Sequence, residues 1–265
     1  MIGTTVQTVL AQASDPDNVI GWFTDRAGRD GSGAIPDQLW VTLWHSLAAA
    51  AVAVVVAVPI ATVLAHYRKA ELLSGWIVNL GRVIPTVAVL GMATLVSIRN
   101  GYGFEPWPIL VALTVLAMPP VFANTYTAVR GVDRDVVDAA RAMGMSERSV
   151  TTRVEMVLGA PIIITGIRVA VVQLVATEGI GAYFGGDGLG TYIFLGLAAG
   201  PIEQVQAGAI LIAGTAMACD FVLWVTSKLL FRRRGVGSSR RSAGADVQAE
   251  PIRSSDRLST TEATT

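Results

Sequence analysis

The sequence predicts an all-α membrane protein of five transmembrane helices, with a polar pair of short helices between the third and fourth spans. Three observations carry this. Hydrophobic residues make up 52% of the chain and charged ones 15%, where an ordinary soluble domain has about a quarter charged. Apolar runs near the roughly 20 residues needed to cross a bilayer recur five times. The interval 131–157 is the longest polar stretch between two such runs. Mean hydropathy is +0.54 and the formal net charge is zero, which excludes bulk attraction to nucleic acid or to acidic substrates.

Residues 1–38 read as a polar external leader, predicted to be mobile, with 19–23 as an alternative interfacial turn. No cleavable secretory signal is read there, because the start lacks a basic segment and its apolar part is broken by Gln7 and Gln12. The membrane domain is expected over 39–230, with spans near 41–65, 76–98, 107–126, 161–184 and 204–228. Pro59, Pro85, Pro119 and Pro120 fall in or beside them; such residues are tolerated where neighbouring groups satisfy the freed carbonyls. A glycine-rich loop, 185–190, and a short helix at 191–195 precede the fifth span. The tail, 231–265, mixes arginines with Gly, Ser and Ala and is predicted to be disordered.

The polar element reads as helix, glycine, helix. Asp133 suits an N-cap, and Val132, Val136, Ala140 and Met143 recur as one apolar stripe. Gly144 can stop the helix in a left-handed conformation. Ser146 caps the second helix, Glu147 suits its positive end, and Val150, Val154 and Val157 form its stripe. Arg68, Lys69, the arginines of 131–157 and those of the tail fall on one side of the spans. The positive-inside rule therefore puts that side and the C-terminus in the cytoplasm, and the N-terminus outside.

Asp138-Ala139-Ala140, Gly144 and Val154-Glu155-Met156 resemble the EAA loop of binding-protein-dependent ABC importer permeases. In that family the loop is a coupling helix pair that docks into a cleft of the ATPase subunit. The resemblance assigns that role to Asp138, Ala139, Ala140, Arg141, Gly144, Met145 and Ser146. Three positions depart from the family pattern: Asp138 replaces Glu, Met156 replaces Leu, and Val157 replaces Pro. The last leaves the second helix free to run on towards Pro161. Val83-Ile-Pro-Thr86, Pro119-Pro120, Asn124-Thr-Tyr126, Gly166-Ile-Arg168 and Gly186-Asp-Gly-Leu-Gly190 further resemble the osmoprotectant branch, which carries glycine betaine, choline, carnitine or proline betaine.

That resemblance implies a type I ABC importer permease fold in the cell membrane. It also implies a second copy or a paralogous permease, and a separate extracytoplasmic substrate-binding protein. The chain has no Gly-x4-Gly-Lys-Ser/Thr loop, so ATP hydrolysis is expected of another polypeptide rather than of this transport subunit. Competing readings are a permease for methionine or another amino acid, a passive channel, and an intramembrane enzyme. A channel would not need the 131–157 element, and no paired catalytic groups at helical spacing support an enzyme.

Other residues are candidates on physical grounds. Ionisable side chains within spans are costly. Asp220 is a candidate partner of Arg168 or Arg82, against separate snorkelling of the two arginines. His45 and Glu178 lie at similar depth and are candidate pathway groups, against a plain helix-packing contact. Gly186, Gly188 and Gly190 are expected to form a tight turn at the external mouth, since no βαβ unit supports a nucleotide loop. The Ala140–Gly144 turn resembles a DNA-binding helix-turn-helix, but its second helix runs into a span, which bars groove entry. Cys219, His45 and His66 are too few and too scattered for a metal site, and no cofactor is expected.

Overall fold

The computed structural model describes residues 19–23, 34–67, 85–104, 106–199 and 202–232. Within these residues regular structure is helical, in the order α1 (Ile35–Tyr67), α2 (Thr86–Arg99), α3 (Trp107–Arg130), α4 (Arg134–Ala142) and α5 (Glu147–Val150). A π-helical segment (Thr151–Glu155) leads into α6 (Met156–Glu178) and a 3-10 segment (Gly179–Phe184); α7 (Gly190–Ala199) and α8 (Ile202–Arg232) follow.

The packing is that of a protein whose solvent is apolar. The buried face of α1 is made mostly of small residues, among them Ser46, Ala49, Ala53, Ala57, Ala61 and Ala65, recurring every three or four residues. Its larger side chains, Val52, Val55, Ile60 and Val63, point outward. In lipid the hydrophobic effect does not drive helices together, so small residues that let backbones approach closely mark the contact face. That face of α1 lies along α3, and α3 in turn packs along α6. At the second contact Gly159 sits against Ala128, and a Cβ on Gly166 would collide with Asn124. Pro59, Pro119, Pro120 and Pro161 are all accommodated inside helices.

Four helical stretches among the described residues are long and apolar enough to cross a membrane: Ile35–Tyr67, Trp107–Arg130, Glu147–Phe184 and Ile202–Leu229. The second expected span is seen only as α2, 14 residues long, because 68–84 lie outside the described residues, Arg82 among them. The tail beyond Arg232 and most of the leader also lie outside them.

Several boundaries differ from expectation. The first helix begins at Ile35 rather than 41, and the third runs on to Arg130. The short helix expected at 191–195 extends to Ala199, and α8 continues to Arg232. Residues 19–23 form a helical turn whose Trp22 meets Tyr192 of α7 edge-on, with ring centroids 5.1 Å apart.

The fourth expected span continues the polar element without a break: α5, the π segment, α6 and the 3-10 segment make one rod of 38 residues. At 1.5 Å per residue that is about 57 Å, well beyond the ~30 Å hydrocarbon core. With Val157 where a proline would interrupt it, nothing stops the helix before Pro161, and that residue too is absorbed.

Candidate functional site

The helix–glycine–helix element is fixed by local chemistry. Asp133 accepts the amide of Asp135 at 3.0 Å and starts α4. At the other end Gly144 has φ +81°, while the Gly144 amide donates to Arg141 O and the Met145 amide to Ala140 O. These two bonds make a Schellman stop, which needs a residue free to go left-handed. Ser146 then caps α5 through the amide of Ser149. Val132, Val137, Ala140 and Val150 form a small buried cluster, joined by Met145 and Val154.

This burial re-phases the predicted stripe. Val136 is 43% exposed and Met143 77%, while Val137 takes the inward position. The reason is the turn itself, because α4 folds back on α5 and the inner face is set by that contact. Two apolar side chains are thereby left on the outer surface. Arg141 closes the turn from outside, reaching Asp138 at 3.1 Å and Glu147 at 3.0 Å. Its hydrogen bond to Glu147 holds that carboxyl below its ordinary range. Ala139 is exposed on α4, and Ala140 is buried beneath it.

A junction that sequence reading missed ties this element to the first span. His66, two residues before Arg68, lies in the last turn of α1 with its side chain only 5% exposed. Its Nδ1 lies 2.7 Å from Glu155 Oε2, and its Nε2 lies 3.0 Å from Glu147 Oε2. Thr151 Oγ1 stands 3.1 Å from Nδ1. Asp138, Arg141, Glu147, His66 and Glu155 thus form one continuous run of charged and polar contacts across α4, α5, α1 and the π segment. The partners are more than 80 positions apart in sequence, so no local signal announced them.

At the opposite end, Glu178 is 0% exposed. Thr42 Oγ1 donates to its Oε2 at 2.8 Å, and His45 Nδ1 lies 3.0 Å from Oε1. Thr42 Oγ1 also accepts the Leu189 amide at 2.9 Å, and Gln38 Oε1 accepts the Gly188 amide. The pair His45 and Glu178 is therefore brought together, but both carboxylate oxygens are engaged inside the subunit. These contacts tie the glycine loop to α1. Gly188 has φ +123°, and a Cβ there would meet both Glu178 oxygens, at 2.6 and 2.8 Å. Gly190 packs so closely on the Gly179 backbone that a Cβ cannot be placed, and Gly186 faces Gly181 O at 3.1 Å.

Arg168 and Asp220 are also brought together, across α6 and α8. Arg168 Nη2 donates to Asp220 Oδ1 at 2.7 Å and its Nε at 3.2 Å. Arg82 lies outside the described residues.

Comparison with known proteins gives this arrangement a family. The family model for the binding-protein-dependent transport system inner membrane component matches residues 40–236. The choline transport system permease protein OpuBB of Bacillus subtilis is 34% identical over 185 residues, covering 70% of this chain and 83% of that protein. The glycine betaine/carnitine/choline transport system permease protein OpuCB of the same organism is 32% identical over 186 residues, covering 70% and 83%. The carnitine transport permease protein OpuCB of Listeria monocytogenes is 31% identical with the same coverage, 70% and 83%. Among solved structures, a chain of the inward-facing methionine ABC transporter MetNI superposes with a TM-score of 0.62 at 20% identity. That match covers 75% of this chain and 95% of the other, and at this identity it speaks for the type I importer fold alone. The chain belongs to the family of inner-membrane permease components of binding-protein-dependent ABC transport systems.

Proposed function

We propose that this chain is the membrane-spanning permease subunit of an ATP-driven importer for osmoprotectants of the quaternary ammonium class, such as choline, glycine betaine or carnitine. The observation that carries the substrate class is the identity of about a third to relatives named for those compounds. The partners are a cytoplasmic ATPase subunit that performs the hydrolysis, a second permease copy or paralogue, and an external binding protein. The basic side of the spans faces the cytoplasm, so the N-terminus is external and the C-terminus internal.

The mechanism follows from the rod. Val136 and, at the end of α4, Met143 add two exposed apolar side chains to an otherwise charged outer face, a mixture that suits a socket on a soluble motor. Force applied there passes to α6 through the uninterrupted α5–π–α6 helix, and to α3 through the short turn at 131–133. His66 carries it to α1. Rigid-body rocking of packed helices then opens the pathway alternately to the two faces.

The test is uptake of radiolabelled choline and glycine betaine by proteoliposomes holding the permease, its ATPase subunit and its binding protein. Accumulation should require ATP, and Arg141→Glu should abolish it by turning the Asp138 and Glu147 contacts repulsive. ATP-independent equilibration that survives Arg141→Glu would identify a channel instead.

A further inference from the structure

We propose that the groove between α6 and α8 that holds Arg168 and Asp220 is a transit site for a quaternary ammonium cation or zwitterion; this deepens, and rests on, the functional reading above.

The ion pair is not sealed. The Arg168 side chain is 23% exposed and that of Asp220 46%, although both sit well inside their spans. Charges open to hydrocarbon are costly, so ionisable residues within spans face a bundle interior or a water-filled path. This pair opens onto a groove of about 640 Å³, shared with Met217, Phe221 and Trp224. That volume lies within the range of about 300–1,000 Å³ typical of small-molecule sites. At the His45–Glu178 pair the carboxylate is fully enclosed, and the cavity that His45 lines is smaller, about 240 Å³.

The groove's chemistry suits one ligand class. A quaternary ammonium group has no N–H to donate, so it is held by aromatic faces and nearby negative charge rather than by directed hydrogen bonds. Both guanidinium hydrogen bonds fall on Asp220 Oδ1, leaving Oδ2 without one among the described residues. Trp224 stands one turn beyond Asp220, and its ring already carries a cation, the Lys228 ammonium, 4.0 Å from the centroid. The Phe221 ring lies 6.0 Å away, tilted by 30°. Arg168 supplies a counter-charge for the carboxylate of a zwitterion such as a betaine. Because Arg168 and Asp220 largely neutralise each other, neither ligand charge is gripped strongly. A transit site requires this, since it must release what it binds.

The test compares choline, a cation, with glycine betaine, a zwitterion, in proteoliposomes of the complete complex. In Asp220→Asn, Arg168 is left unopposed, so the choline-to-betaine uptake ratio should fall about fivefold or more. Trp224→Ala should slow both substrates by about fivefold, within the range of one cation–π contact, and Trp224→Phe should recover at least half of the loss. Unchanged rates and ratio in these variants, with the wild type active, would overturn the site alone. Failure of both Asp220→Asn and Trp224→Phe to assemble with a second permease would show the groove to be an interface between copies, which also overturns it. A wild-type complex that moves neither compound would remove the substrate reading and the site together.

Discussion

Glu178 shows how a single side chain can decide the geometry of a whole loop. Its two oxygens engage Thr42 and His45, and Thr42 in turn holds the Leu189 amide. Replacing Glu178 with Ala leaves a buried hydroxyl and a buried imidazole without their acceptor. A buried polar group stranded in this way costs about 1–3 kcal/mol. The thermal unfolding midpoint in detergent should therefore drop for Glu178→Ala, with Glu178→Gln in between, since an amide oxygen can still accept from Thr42. Equal midpoints for all three proteins would show that the cluster does not hold the loop.

Residues whose roles are local were readable from the sequence. Asp133, Gly144 and Ser146 each act within four positions of their partners, and cap and stop chemistry names them directly. Gln38 and Thr42 were not readable in the same way. Their partners, Gly188 and Leu189, are about 150 positions away, and a polar residue near the start of a span looks like an ordinary interfacial group.

On the scale of elements, the decisive feature is continuity between the polar pair and the membrane. A turn that merely capped two spans would leave α5 free to move on its own. Here α5 runs through the π segment into α6, and His66 pins the start of that rod to the end of α1. His66→Ala would leave Glu147 and Glu155 facing each other with no imidazole between them. Uptake per ATP hydrolysed should then fall, while the ATPase subunit still binds and turns over. An unchanged ratio would mean that α1 takes no part in transmission.

The phase of the α4 stripe was the part of this element that the sequence concealed. Val136 and Val137 are adjacent valines, and periodicity alone cannot tell which of them faces α5. The fold-back at Gly144 decides it, and puts Val136 and Met143 outside. The absence of a break between element and span was foreshadowed by Val157, although its consequence, a 38-residue rod, depended on Pro161 being tolerated.

For the whole molecule, the architecture divides the polar chemistry into three levels. One level ties the glycine loop at 185–190 to α1 through Gln38, Thr42 and Glu178. A second level, within α6 and α8, opens the Arg168–Asp220 pair onto a groove. A third level joins the α4–α5 turn to α1 through His66. The class of the protein and its helical content followed from composition and the length of the apolar runs. The assembly of these levels did not, because it depends on small-residue contacts such as Gly166 against Asn124, which join helices distant in sequence.

The central claim is that the α4–α5 turn faces the cytoplasm and seats a separate motor. The most direct measurement is labelling of Met143→Cys by a membrane-impermeant maleimide, with the sole native cysteine removed as Cys219→Ser. The thiol should stay unlabelled in intact cells, react in inside-out vesicles stripped of the ATPase subunit, and be protected when that subunit is added back. Labelling from outside intact cells, or reactivity unaffected by the added ATPase, would contradict the account.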